Sequence, residues 1–115
     1  MQKTKKEIME GIDCIKSKKI DNNTIEYLQN NGTKVIRLHQ TDIITFKNGV
    51  VILNSGGWRT PTTRNRINKY SGIHVNQLKG QWFIGEYLFY DGMKFKDGKL
   101  ISKEIKNNLS KVDKR

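Results

Sequence analysis

From residue 24 to residue 54, short apolar runs alternate with asparagine–glycine turns, and this pattern predicts strands. The run TIEYLQ (24–29) leads into Asn30-Asn31-Gly32, and KVIRLH (34–39) pairs back on it. A second hairpin joins DIITF (42–46) to VVILN (50–54) across Lys47-Asn48-Gly49. Asn-Gly suits such turns because both central residues must take positive φ. Apolar residues occur at both parities: Val35 against Ile36 and Leu38, Ile43 against Ile44 and Phe46. A sheet at least partly covered on both faces accounts for that.

On either side of this middle the period changes. Thr4 and Glu7 match a capping box, and Ile8, Ile12 and Ile15 follow at helical spacing with Met9 beside them. A helix over 4–19 is expected, weakened by Gly11 and available to cover one sheet face. After Gly57, Thr60 can cap a helix, Pro61 suits its first position, and Thr62 and Thr63 complete the first turn. Ile67 and Tyr70 share a face, and Ser71-Gly72 ends the helix. A hairpin over IHVNQL (73–78), Lys79-Gly80 and QWFIGEYLFY (81–90) comes next, then turns at Asp91-Gly92 and Asp97-Gly98. Ile101, Ile105, Leu109 and Val112 fit a short helix, and a frayed basic tail fits residues 101–115 as well.

These elements predict an α+β fold in a small single domain over residues 1–100. Its antiparallel sheet of four to six strands is built of hairpins, with an N-terminal helix and a short helix over 61–70. The lone cysteine, Cys14, excludes an internal disulfide and reads as a small buried apolar residue on the first helix. The charged start lacks the apolar core of a secretory leader, and no run is long enough to span a membrane. An intracellular, non-membrane protein is expected.

Charge sharpens this picture. The net charge is +11, with residues 20–58 neutral and the excess at the two ends and after Gly57. Such a field favours polyanions, nucleic acid first and acidic protein surfaces second. A merely solvated lysine-rich surface is the plain alternative.

The stretch LNSGGWRTPTTRNRINKY (53–70) is the candidate site. Gly56 and Gly57 let the backbone approach a neighbour, and the following helix start offers unpaired N–H groups. Thr60, Thr62 and Thr63 add hydroxyls, Arg59 a planar fork for phosphate, and Trp58 a stacking face. Arg64, Arg66 and Lys69 are expected to join Arg59 in one basic surface that grips a nucleic-acid backbone with little sequence readout. The structural alternative is a tight turn, a core Trp58 and a capping Thr60. The glycines lack the Lys-Ser/Thr pair of a P-loop. His39 and Asp42 could begin a metal or acid–base site, yet His74 is the only other histidine and no further ligands complete the set. Both are therefore expected to be structural, with the aspartate bonded to nearby backbone or to the histidine. Neither a catalytic motif nor a cofactor motif stands out, so no cofactor, no metal and no enzyme activity are expected.

Residues 32–95 resemble a family of small proteins common in tailed-phage genomes. The resemblance rests on Arg37-Leu38-His39, Thr41-Asp42-Ile43 and the run from Leu53 to Asn68, with KGQWFI (79–84) and YDGM (90–93) downstream. Pro61 stands where that family often has valine, which sharpens the helix start. The resemblance implies a phage-encoded protein of the host cytoplasm or the virion, and it implies no activity. The expected function is a basic nucleic-acid-binding protein, for DNA or RNA. The alternatives are an accessory protein that binds a host protein, such as a defence inhibitor, and a minor virion component.

Overall fold

The computed structural model describes residues 14–102, and among these ten strands and one helix follow one another. Strands β1 (Cys14–Asp21), β2 (Thr24–Gln29), β3 (Lys34–Leu38), β4 (Thr41–Lys47) and β5 (Val50–Leu53) form an antiparallel meander. Helix α1 (Pro61–Ser71) follows, then β6 (Asn76–Leu78), β7 (Gln81–Ile84) and β8 (Tyr87–Leu88), which form a small sheet of their own. The chain then returns: β9 (Met93–Lys96) pairs with β5, and β10 (Lys99–Leu100) pairs with β9. The large sheet thus has seven strands in the order β1-β2-β3-β4-β5-β9-β10.

The α+β expectation is overturned, because the fold is β-rich and mostly antiparallel, with one short helix among the described residues. Residues 14–19, expected to end the first helix, are strand β1. Residues 4–13 of that expected helix and 103–115 of the expected tail lie outside the described residues. The competing signal is a turn. Asn23 takes φ 53°, the Asn22 N–H donates to Asp21 Oδ1 at 2.9 Å, and the Thr24 hydroxyl donates to the Asn22 carbonyl at 2.7 Å. This turn folds β1 back along the whole of β2, pairing backbone groups that a helix would have left open on β2. Exposed Lys16, Lys18 and Lys19 line the resulting edge strand, and charge there discourages pairing with another chain.

Elsewhere the turn chemistry sets the hairpins. Asn48 and Gly49 join β4 to β5 with φ 50° and 79°, and Lys79 and Gly80 join β6 to β7 with φ 52° and 79°. Two positive φ values give a turn whose twist matches that of the flanking strands.

The core lies on one face of the large sheet. Ile36, Ile44, Leu53 and Met93 stand in one cross-strand row and are all buried. Ile67 of α1 packs on this face, as do Val75, Trp82, Ile84 and Phe89 in and around the small sheet. Burying each such side chain stabilises by about 1.5–3 kcal/mol. A bulge in β4 adds to it: Ile36 pairs with Ile44 and Arg37 with Asp42, so Ile43 is the extra residue, and both isoleucines are buried. Tyr27, Val35 and the partly buried Ile25 form a separate cluster. Their register places them on the opposite face, which is why apolar residues occupy both parities.

Candidate nucleic-acid interface

The loop between β5 and α1 is wired to itself. The Gly56 N–H donates to Asn54 Oδ1 at 2.7 Å, the Gly57 N–H to Ser55 Oγ at 3.1 Å, and the Trp58 N–H to the Ser55 carbonyl at 2.9 Å. Thr60 is extended, with φ −103° and ψ 161°, and its hydroxyl accepts from the Thr63 N–H at 3.2 Å. Pro61 then starts α1, and Gly72 at φ 82° ends it. With its neighbours held this way, Trp58 stands 64% exposed. It is not a core residue.

Trp58 stands at a pocket of about 800 Å³. Its walls are Asn22 and Asn23 from the β1–β2 turn, His39 and Gln40 from the β3–β4 turn, Ser55, and the start of α1. Leu38 and Ile43 add apolar surface. The two turns are tied together, because the His39 N–H donates to the Asn23 carbonyl at 2.8 Å. The site therefore offers a flat aromatic face, side-chain amides suited to base edges and hydroxyls suited to phosphate oxygens.

The sequence-derived residues divide. Trp58, Thr60, Thr62, Thr63 and Arg66 line the pocket. Arg59, Arg64 and Lys69 do not. Arg59 is exposed but lies over two core rings: its guanidinium is 5.4 Å from the Trp82 ring centre and 4.9 Å from that of Phe89. Its Nε donates to Ser55 Oγ at 2.9 Å, and it stands 3.8 Å from Asp91. Ser55 in turn donates to Asp91 Oδ1 at 2.7 Å. Arg59 is thus a brace for the loop. Arg64 is half-buried, and its Nε has no hydrogen-bond partner. Lys69 pairs with Asp21 at 2.9 Å, and Arg66 stands 3.5 Å from the same carboxylate while its Nε donates to Thr24 Oγ1 at 3.0 Å. One aspartate at the end of β1 thus draws on two of the four cations. Sequence spacing showed which residues leave the apolar face of α1; it could not show an acid 45 positions earlier meeting Arg66.

His39 and Asp42 also part company. His39 sits exposed at the turn with φ 56° and lines the pocket. Asp42 accepts from Arg37 Nε at 2.6 Å and from the Tyr27 hydroxyl at 2.8 Å. The aspartate is structural as expected, but its partners are these side chains and not the histidine or backbone. Among the described residues, no group of three or more His, Cys, Asp or Glu side chains is placed to hold a metal. Asn22, Asn23 and Gln40 were missed as site residues because each reads locally as turn chemistry.

The family model described as Kyanoviridae Gp96 protein matches residues 1–102, nearly the whole chain. The chain belongs to this phage family. No curated protein and no solved structure matches it. The match begins well before residue 32, so β1, β2 and the Asn22-Asn23 wall are family territory, as is every other wall of the pocket. No helix among the described residues is long and apolar enough to cross a membrane.

The same stretch carries a pH-sensitive tie between β1 and α1. Asp21 accepts from Lys69, from the Tyr70 hydroxyl at 2.8 Å and from the Asn22 N–H, and in that order they hold its carboxyl far below the usual carboxylate range. A lowered pKa in the fold stabilises it above the unfolded value and stops doing so as pH falls. The contribution is therefore whole at neutral pH and declines below about pH 4. Urea titrations of wild type and Asp21→Asn, from neutral pH into strong acid, should show the smaller acid-induced loss in the variant. Equal losses would mean that Asp21 does not set the acid limit.

Proposed function

We propose that the protein is a non-catalytic binding module for nucleic acid with unpaired bases, acting in the infected cell or the virion. Trp58 stacks on a base, and the pocket beside it takes the adjoining sugar–phosphate. The observation that carries this reading is Trp58 itself, 64% exposed and lining a pocket of about 800 Å³ whose walls combine apolar surface with amides and hydroxyls. A large aromatic held open to water by a loop with its own internal bonds suits a flat ligand. Thr62 is exposed and can meet phosphate oxygens, while Arg66, whose three guanidinium nitrogens are bonded within the protein, adds positive charge to the pocket wall. Stacking accepts any base and phosphate contacts carry no sequence, so preference among sequences should be slight.

Fluorescence anisotropy with single-stranded and duplex oligonucleotides over a salt series tests the reading. Log affinity should fall linearly with log salt. Trp58→Ala should weaken single-strand binding by roughly 1–3 kcal/mol, with little change in melting temperature because the ring is not in the core. A wild-type protein that binds no oligonucleotide at low salt would end the proposal.

A second reading, an accessory protein that binds a host protein, draws support from the outer face of β6–β8. There Leu78 is 63% exposed and Leu88 38%. Capture of a defined host protein from nuclease-treated lysate tests it.

A further inference from the structure

The cations of α1 are largely engaged, yet the excess positive charge has a place in the fold. Lys47 ends β4 and pairs with Val50; Val50 pairs with Lys96, and Lys96 with Lys99. These residues form one cross-strand row over four neighbouring strands. Lys94 stands two residues from Lys96 on β9, so the alternation of side chains puts it on the same face. Phe95 and Met93, between and beside them, are buried on the core face. All four lysines are exposed, and the four ion pairs among the described residues involve none of them. The side chain of Lys96 reaches across its neighbour: its Cε lies 4.0 Å from where a Cβ on Gly49 would stand.

Placing like charges directly opposite each other in an antiparallel pair is destabilising, and Lys96 and Lys99 are so placed. Protection of the sheet edge does not explain the set. One lysine on β10 would serve that purpose, whereas β4 lies inside the sheet and β9 has a partner on each side. Among the described residues, Asp42 is by register the strand carboxylate on this face, and Arg37 holds it at 2.6 Å. Asp97 lies in the turn between Lys96 and Lys99. The row therefore presents concentrated positive charge with little local compensation.

We propose that Lys47, Lys94, Lys96 and Lys99 form a track for a nucleic-acid backbone, separate from the Trp58 pocket; this rests on the nucleic-acid reading above and adds a surface to it. Three inter-strand spacings make the row about 14 Å long. A duplex carries one charge per roughly 1.7 Å of axis, so several phosphates face a row of that length. Lysine is depleted from the centres of protein–protein interfaces, while sequence-independent nucleic-acid binding depends on it. That favours a phosphate backbone over an acidic protein. The row sits on the opposite face of the sheet from the core, at the Lys47 end of β4, whereas Thr41 at the other end lines the pocket. A strand engaging both surfaces would have to pass around the sheet.

The test uses the full chain with Lys47, Lys94, Lys96 and Lys99 all changed to Gln. A matching Lys→Arg set and a control with Lys18→Gln and Lys79→Gln accompany it, and melting temperatures check folding. With single-stranded oligonucleotides, the Gln set should reduce the slope of log affinity against log salt by about 3, near 0.7 per contact. The Arg set should keep the slope, and the control should change it far less. If wild type binds and Trp58→Ala weakens it while the Gln set leaves the slope unchanged, the track is overturned and the pocket stands. If the Gln set loses the slope while Trp58→Ala changes nothing, the track stands and the pocket reading fails. Wild type that binds poly-glutamate but no oligonucleotide overturns both in favour of an acidic protein partner.

Discussion

Trp82→Ala should lower the stability of the fold by about 3–5 kcal/mol, measured by urea denaturation at neutral pH. Trp82 is 2% exposed and meets the Phe89 ring edge-on, with centres 5.2 Å apart and planes at 61°. Its removal leaves a void in the main core cluster, which tight packing cannot refill without strain. It also takes away one of the two rings under Arg59. That arginine braces Ser55, whose hydroxyl in turn receives the Gly57 N–H. Loosening should therefore spread from the small sheet to the loop that presents Trp58. The two tryptophans then give opposite results: one substitution costs stability, while Trp58→Ala costs affinity. A stability loss below about 1 kcal/mol for Trp82→Ala would contradict the packing described here.

Gly56→Ala should destabilise by about 2–5 kcal/mol for two separable reasons. Gly56 has φ +64°, a conformation that costs a residue with a Cβ about 1–2 kcal/mol. The added Cβ would also stand 2.7 Å from Thr41 Cγ2 and 2.8 Å from its Oγ1. Overpacking of that kind costs typically 1–3 kcal/mol. A double-mutant cycle separates the two. Thr41→Ala in the Gly56→Ala background should recover the steric part and leave the backbone part. Strict additivity would mean that the two residues do not touch. Thr41 lines the pocket, so the close approach at Gly56 also fixes where the Trp58 loop sits against β4.

Short-range signals were legible in the sequence, and long-range ones were not. The turns at Asn48-Gly49 and Lys79-Gly80 and the cap of α1 by Thr60 and Pro61 are decided within a few residues, and the sequence places them where they occur. The end of the expected first helix, residues 14–19, is strand instead, although Ile12 and Ile15 fit one helical face in the sequence. The fate of residues 14–19 depends instead on the Asn22-Asn23 turn and on the open edge of β2. The pairing of β5 with β9 left no local trace either. At the site, Trp58 and the threonines were recognisable because a glycine turn and a helix start stand side by side in the chain. The fates of Arg59 and Lys69 were not, since Asp91 and Asp21 reach them only through the fold.

The order of strands also sets a schedule for the nascent chain. The first five strands each pair with a sequence neighbour, so they can zip as successive local hairpins while synthesis continues. β5 is different: its outer edge waits for β9, which follows only after α1 and the small sheet have been made. At roughly 5–20 residues per second, that gap leaves the Val50–Leu53 edge open for a few seconds at every round of translation. During that interval an apolar strand with free backbone donors and acceptors is available to any passing chain. Until β9 arrives, the stability of the finished sheet gives that edge no protection.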